Sequence, residues 1–386
     1  MAAKIAFLSS QPLDDRRHWS GTMFKMYEAL QEQGFEIIWV PTATFSASEE
    51  KVFSFIQKTY ERVFRRRFNT HHFVLKAFLA SKKTEKALQK IDFDLLFSPT
   101  YLNEIAFLKI NKPIIYLNDG TFNKLIGYNP GFMGIGWLSK KITRLLEEKA
   151  LKNSTHLIFS SEWAADDAHK TYGIPTEKIS VVKFGANLGV PEVPLHEKNY
   201  SEPLNVLFSG VGWERKGGDI ALEAIKILHK KGYCLKFKIM GCTPDVDEDF
   251  VEIIPFLNKN KPEELAEIER HLAEAHLMFV PTRTDCSPIA FCEAAGFAIP
   301  VLSTNTGGVS SIVEDGRTGF LLPEKASAQD YANLIEREIL PNPDRLKQMS
   351  ENARRKYDEE LNWKIWGDRM KSIFTGISEK YTQIIP

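Results

Sequence analysis

Short apolar runs of the strand type alternate with helical patterns along most of the chain, and after a proline-rich break the alternation begins again. KIAFLSS (4–10) and FEIIWV (35–40) are followed by a long helical stretch to about Lys90, then by apolar runs at 93–98, 113–117, 155–160 and 179–184 with helices between most of them. The segment NLGVPEVPLHEKNYSEP (187–203) has three prolines and no periodicity, which predicts a linker. Beyond it come LNVLFSG, LKFKIMG, LMFVPT and AIPVLST, with helices expected from Gly218, near 263–274 and from Ser287. Continuous Val/Ile/Phe runs separated by helices indicate parallel strands covered on both faces. The fold class is therefore α/β: two Rossmann-like doubly wound domains facing a cleft, 1–190 and 204–360, joined by 191–203. A sheet of this type binds its ligands beyond the carboxyl ends of its strands.

The 50 Lys+Arg balance 50 Asp+Glu, which speaks against wholesale nucleic-acid binding while permitting local basic patches. Cys234, Cys242, Cys286 and Cys292 form no CxxC pair and are read as reduced thiols of a cytoplasmic protein. MAAKIAFLSSQPLDD is expected to be a first strand and not a leader. No run approaches the ~18 apolar residues of a membrane span. Residues 51–90 hold 11 Lys+Arg against Glu61 and Glu85, interleaved with Phe53, Phe55, Phe64, Phe68, Phe73 and Phe78. Such a segment can lie on anionic lipid as a peripheral contact. Equally, it can be a helical layer whose aromatics serve the core and whose basic face is solvated.

Two segments carry chemistry. In SGVGWERKGGDIALEAIKIL (209–228) a strand runs through a Gly-rich turn into a helix opening near Asp219. Glycines there, Gly212 among them, let backbone approach a ligand, and Arg215 and Lys216 add two cations beside a helix start. That suits a diphosphate. The plain alternative is a strand-to-helix turn capped by Asp219. Neither GxxxxGK[ST] nor GxGxxG is present, which weighs against a nicotinamide dehydrogenase. In PTRTDCSPIAFCEAAGFAIPVLSTNTGG (281–308), Ser287-Pro288 reads as an N-cap with a first-turn proline. Asp285 then stands just outside that helix and Glu293 inside it. A carboxylate among apolar neighbours requires hydrogen-bond donors, which a ribose diol or a basic side chain can supply.

The combination of WERKG, DCSPIAFCEA and PVLSTNTGGVSSIVEDGRTGFLLP resembles the retaining, nucleotide-sugar-dependent glycosyltransferases of family 4, which have the GT-B fold. The resemblance extends over nearly the whole chain and is strongest in 205–323. It implies a terminal helix, 361–386, that returns to the first domain, with Trp363 and Trp366 as core anchors. Arg215 and Lys216 would hold the donor diphosphate and Glu293 the ribose hydroxyls. Asp285 would face the transferred sugar, with the N–H groups near Ser287 and Ile289 beside it. Asn258, in IPFLNKN (254–260), would flank the nucleobase. Gly21, within Ser20-Gly21-Thr22, takes the place of the loop that approaches the donor phosphates. The chain departs from the family pattern at Asp285, where Glu is usual, and at Ser287-Pro288-Ile289, where Phe-Gly-Leu is usual. It also has Asn118-Asp119 where the family shows His-Asp, so Asp119 retains the acidic position without the histidine. The implied reaction is glycosyl transfer with retention from a nucleotide sugar to a hydroxyl acceptor, lipid-linked acceptors included, without metal or additional cofactor. A nucleotide-sugar epimerase, a sugar phosphorylase and a non-catalytic nucleotide-sugar binder are the rival readings.

Overall fold

Val, Ile, Leu and Phe pack well on a pleated surface that is buried on both sides, and the apolar runs of this chain become strands of that kind. In the computed structural model, which describes residues 3–190, 198, 200 and 203–384, they form two six-stranded sheets. The first comprises β1 (Lys4–Ser9), β2 (Glu36–Pro41), β3 (Leu95–Pro99), β4 (Ile114–Asn118), β5 (His156–Phe159) and β6 (Ile179–Val181), in the order β2-β1-β3-β4-β5-β6. The second comprises β7 (Leu204–Ser209), β8 (Leu235–Met240), β9 (Val251–Ile254), β10 (Leu277–Val280), β11 (Val301–Thr304) and β12 (Gly319–Leu322), in the order β12-β11-β10-β7-β8-β9. All ladders between these strands are parallel. The chain divides into two compact units, Met1–Val182 with Gly367–Pro386, and Lys183–Trp366. Most of the expected linker, 191–203, lies outside the described residues.

Strand order locates the candidate binding regions. Counted from β7, the second sheet has the Rossmann order, and the winding direction reverses between β7 and β10, which pair through Leu277–Val206 and Met278–Leu207. In the first sheet the reversal falls between β1 and β3. At such a point the two following loops diverge to opposite faces and leave a crevice at the carboxyl edge. The strands beneath are thoroughly buried: β10 is Leu277, Met278, Phe279 and Val280, all core, each contributing about 1.5–3 kcal/mol on burial.

The last helix, Trp363–Ile384, belongs to the first unit from Gly367 onward. Gly367 lies against the Ala29 carbonyl, 3.1 Å from where a β-carbon would stand. Phe374 packs on Phe35 and Phe97 with centroids 5.7 Å apart. Trp363 stacks on Phe184 and Trp366 is fully buried, so both tryptophans are core anchors.

The helical stretch expected up to Lys90 is two helices, Ala47–Phe64 and Val74–Leu88. A capping box of Ser46 and Glu49 starts the first, and Arg65, at φ 49°, ends it. Its aromatics divide between the two readings of this segment. Phe53, Phe68 and Phe73 build a cluster with Tyr60, whereas Phe55, Phe64 and Phe78 are exposed. Among the described residues, no helix is long and apolar enough to cross a membrane.

Two buried carboxylates brace the segment after β4. Glu147 accepts from the Phe122 N–H at 2.8 and 3.0 Å and from the Tyr172 hydroxyl. Asp167 accepts from Thr121, from Asn123 Nδ2 at 2.8 Å and from Thr171 Oγ1 at 2.7 Å. Burial pushes the Glu147 carboxyl up to about 7. The folded state therefore holds its proton more tightly than the unfolded state does. The associated stability is complete below the ordinary pKa of 4.5 and is lost as pH rises through about 7. Denaturation of wild type and Glu147→Gln across that window is expected to show the wild type losing up to about 3 kcal/mol relative to the variant. A difference that does not change with pH would refute the raised carboxyl.

Candidate active site

Glycine geometry shapes the loop after β7. Its turn is closed by bonds from Lys216 N to Gly212 O (2.8 Å), Gly217 N to Glu214 O (3.1 Å) and Gly218 N to Trp213 O (2.9 Å). Gly217 has φ 73°, and a β-carbon on it would stand 2.0 Å from the Pro281 carbonyl oxygen. One on Gly218 would strike the Trp213 ring at 2.1 Å. Gly217 therefore allows the loop after β7 to lie directly on the loop after β10, while Gly218 lets the first of these loops close on its own Trp213 ring. Gly217 caps the helix Gly218–Lys230, so Asp219 sits in its first turn and is not its cap. Arg283 grips Asp219 through two nitrogens at 2.8 and 2.7 Å and holds its carboxyl below the ordinary value. Arg283 N also donates to Arg215 O at 2.9 Å, and Arg215 Nη1 donates to Thr284 O at 3.1 Å. These bonds stitch the loop after β7 and the loop after β10 together.

Within that seam Lys216 forms an ion pair with Asp285. Their side chains are only 12% and 11% exposed, and the Asp285 carbonyl accepts from Gly308 N at 3.1 Å. Beside them the hydroxyls of Thr284 and Ser287 are buried without a hydrogen-bond partner. Ser287 is not the helix cap that its sequence context predicts. The helix spans Ile289–Gly296 with Pro288 at the N-cap position and no side-chain cap bond. Pro288 holds ψ at 97°, which keeps it outside the helical region and makes Ile289 the first helical residue. A buried hydroxyl without a partner has lost its hydration, so the polar demand at Ser287 and Thr284 is unmet by the protein.

Glu293 is 5% exposed and pairs with Lys259 at 2.5 Å. Lys259 comes from the same loop as Asn258, whose N–H donates to Glu264 at 2.5 Å and whose Oδ1 accepts from Asn260 N at 3.0 Å. Cys292 is no nucleophile: burial first, then Glu293, push its thiol up, and its Sγ faces the Phe184 carbonyl at 3.4 Å.

In the first unit, Gly21 (φ 89°) caps the helix Thr22–Glu32 and follows Trp19 (φ 49°) and Ser20 (φ 57°). Left-handed backbone at two consecutive non-glycine residues costs roughly 1–2 kcal/mol each, and strain of this kind gathers at functional loops. The same turn positions His18. Its Nδ1 meets Ser9 Oγ at 3.3 Å and its Nε2 meets Tyr101 OH at 3.3 Å, across the reversal between β1 and β3, and burial lowers its pKa. Asp119 follows β4; its N–H donates to Asn118 Oδ1 at 3.0 Å, and Asn118 Nδ2 donates to Tyr116 OH at 2.9 Å.

The structure thus gathers Gly212, Arg215, Lys216, Asp285 and Ser287 at one reversal point, and joins Glu293 through Lys259 to the Asn258 loop. Gly21 and Asp119 belong to the other unit. Sequence reasoning passes over Arg283, Lys259, Thr284 and His18. A basic residue in the loop expected beside the nucleobase was the available signal for Lys259; His18 had none.

Two family models match the chain, one in each half. The family model described as "Glycosyl transferases group 1" matches residues 195–356, and that described as "Glycosyltransferase Family 4" matches residues 22–189. The chain belongs to glycosyltransferase family 4. Its two parallel sheets and its terminal helix make up the GT-B fold of that family. Among curated relatives, the amylovoran biosynthesis glycosyltransferase AmsK of Erwinia amylovora is 31% identical over 182 residues, 43% of each chain. The D-inositol 3-phosphate glycosyltransferase of Gordonia bronchialis is 25% identical over 327 residues, 78% of this chain and 69% of the relative. For the putative colanic acid biosynthesis glycosyltransferase WcaL of Escherichia coli the match spans 53% of the relative, so the chain spans about half the length of several curated relatives it matches. Among solved structures, HepE of Anabaena in complex with UDP-glucose superposes with a TM-score of 0.63 at 14% identity, covering 97% of this chain and 99% of that one.

Proposed function

We propose that this family 4 member is a retaining glycosyltransferase that moves a sugar from a nucleoside diphosphate sugar to an acceptor hydroxyl, without a metal ion or additional cofactor. The observation that carries the reading is the Lys216–Asp285 pair at the reversal point, flanked by Arg215 and by the unsatisfied hydroxyls of Thr284 and Ser287. Arg215 and Lys216 hold the diphosphate and stabilise the negative charge that grows on it as the glycosidic bond breaks. A preorganised contact that strengthens along the reaction is the most effective kind. Asp285, released from Lys216 by the incoming phosphate, orients the sugar hydroxyls, and Ser287 gains a ligand partner. Glu293 takes the ribose diol and Asn258 lies beside the base.

The UDP-glucose bound to HepE supports a nucleoside diphosphate sugar as donor. The polysaccharide pathways named for AmsK and WcaL support a glycan or lipid-linked acceptor. Exposed Phe55, Phe64 and Phe78 among the basic residues of 51–90 support peripheral contact with an anionic membrane. The test is nucleoside diphosphate release from a panel of nucleotide sugars in the presence of a chelator. Release that requires an acceptor hydroxyl and yields a product of unchanged anomeric configuration is the expected outcome. Acceptor-independent release indicates an epimerase, and dependence on inorganic phosphate a phosphorylase.

A further inference from the structure

The first unit contains a cavity of about 530 Å³ to which none of the residues discussed for transfer contributes. The helix Trp137–Asn153 lines one side with Trp137, Lys140, Lys141, Arg144 and Leu145. No ion pair reaches Lys140, Lys141 or Arg144 among the described residues. Glu148, the one acid in the lining, is taken by Lys152 at 2.5 Å. Lys140 and Arg144 are also like charges four residues apart, an arrangement that is unfavourable on a helix. Three cations without counter-charges around one concavity create a strong local positive potential.

The other polar residues of the lining are held rigidly. Asn123 and Thr171 are both bound to buried Asp167, and Tyr172 to buried Glu147. Tyr172 OH also accepts from Asn123 N at 3.3 Å. The two buried carboxylates keep these polar groups in position without a ligand, which lowers the entropy lost on binding. The rim is apolar and open to solvent: Trp137 is 67% exposed and Leu145 55%. An exposed indole beside three free cations matches a ligand with a phosphate at one end and an apolar or ring surface at the other.

We propose that this cavity is a second anion site of the protein, binding a phosphate-bearing ligand through Lys140, Lys141 and Arg144 while Trp137 and Leu145 cover its apolar part. The phosphate can belong to a lipid headgroup or to a soluble compound. The inference stands whether or not the donor assignment does, because none of its residues serves the β7/β10 seam.

The test uses the full chain labelled with fluorotryptophan, the Trp137 resonance being assigned by its loss in Trp137→Phe. One arm titrates inorganic pyrophosphate and follows that resonance. The other measures sedimentation with vesicles of equal parts phosphatidic acid and phosphatidylcholine against phosphatidylcholine alone. Binding in either arm is expected to weaken at least about tenfold in Lys140→Gln/Lys141→Gln/Arg144→Gln. Should that variant unfold, Lys141→Gln/Arg144→Gln, at two exposed positions, gives the same reading. A response to pyrophosphate alone identifies a soluble phosphate, and a response to phosphatidic acid vesicles identifies a headgroup. No response in either arm, or a charge variant that binds like wild type, overturns the proposal.

Discussion

Lys216→Ala should turn over donor about a hundredfold more slowly than wild type, a loss of about 3 kcal/mol of transition-state stabilisation. The reasoning rests on where the ammonium sits. It lies in a seam largely closed to solvent, next to Arg215 and in contact with Asp285, so solvent screens its charge weakly and it acts strongly on a diphosphate that displaces Asp285. The same substitution deprives Asp285 of its cation and carries a stability cost as well. Lys216→Arg separates the two effects, since it keeps the charge opposite Asp285 while altering the reach toward the phosphates. Turnover is measured under saturating donor, and the melting temperature is recorded for each variant. Wild-type turnover in Lys216→Ala would remove the cation from the mechanism, whatever the stability change.

Glu293→Ala is expected to raise the dissociation constant for nucleoside diphosphate about tenfold to a hundredfold in calorimetry. Hydrogen bonds to a charged group contribute roughly 1.5–3 kcal/mol each, and a buried carboxylate facing a diol makes two. The alternative role, a purely structural ion pair with Lys259, makes a different forecast. In that case Lys259→Ala and Glu293→Ala would lower the melting temperature by similar amounts and leave affinity unchanged. An affinity loss confined to Glu293→Ala supports the ribose contact. Equal, affinity-neutral behaviour of the two variants would end it.

Much of this molecule was legible in its residues because the relevant interactions are local. Apolar runs such as Leu277–Val280 have the length and composition of buried parallel strands, and they became them. Gly217 and Gly218 announced a close backbone approach, and the Pro281 carbonyl and the Trp213 ring are what they approach. Ser287 shows where local reasoning fails. The Ser-Pro pair is a strong helix-start signal, but the cap position depends on the ψ of Pro288 at the end of a loop held by the neighbouring strand's turn. The stretch after Lys51 fails for a similar reason: helix-forming residues continue past Phe64, while a left-handed Arg65 and the pairing of Arg67 with Ile135 redirect the chain.

The residue pattern sufficed for the class of fold, the doubling of the sheet and the identity of the two chemistry-bearing loops, because periodicity, glycine and charge act over a few neighbouring residues. Strand order, and with it the reversal that brings Gly212–Lys216 against Asp285, was settled by long-range packing of crossover helices, to which no short window of residues is sensitive. The partners Lys259 and Arg283, and the cation-lined cavity beside Trp137, likewise arose only where chain segments far apart in number met. Burial and charge pairing are properties of that meeting, and a linear string of residues does not contain them.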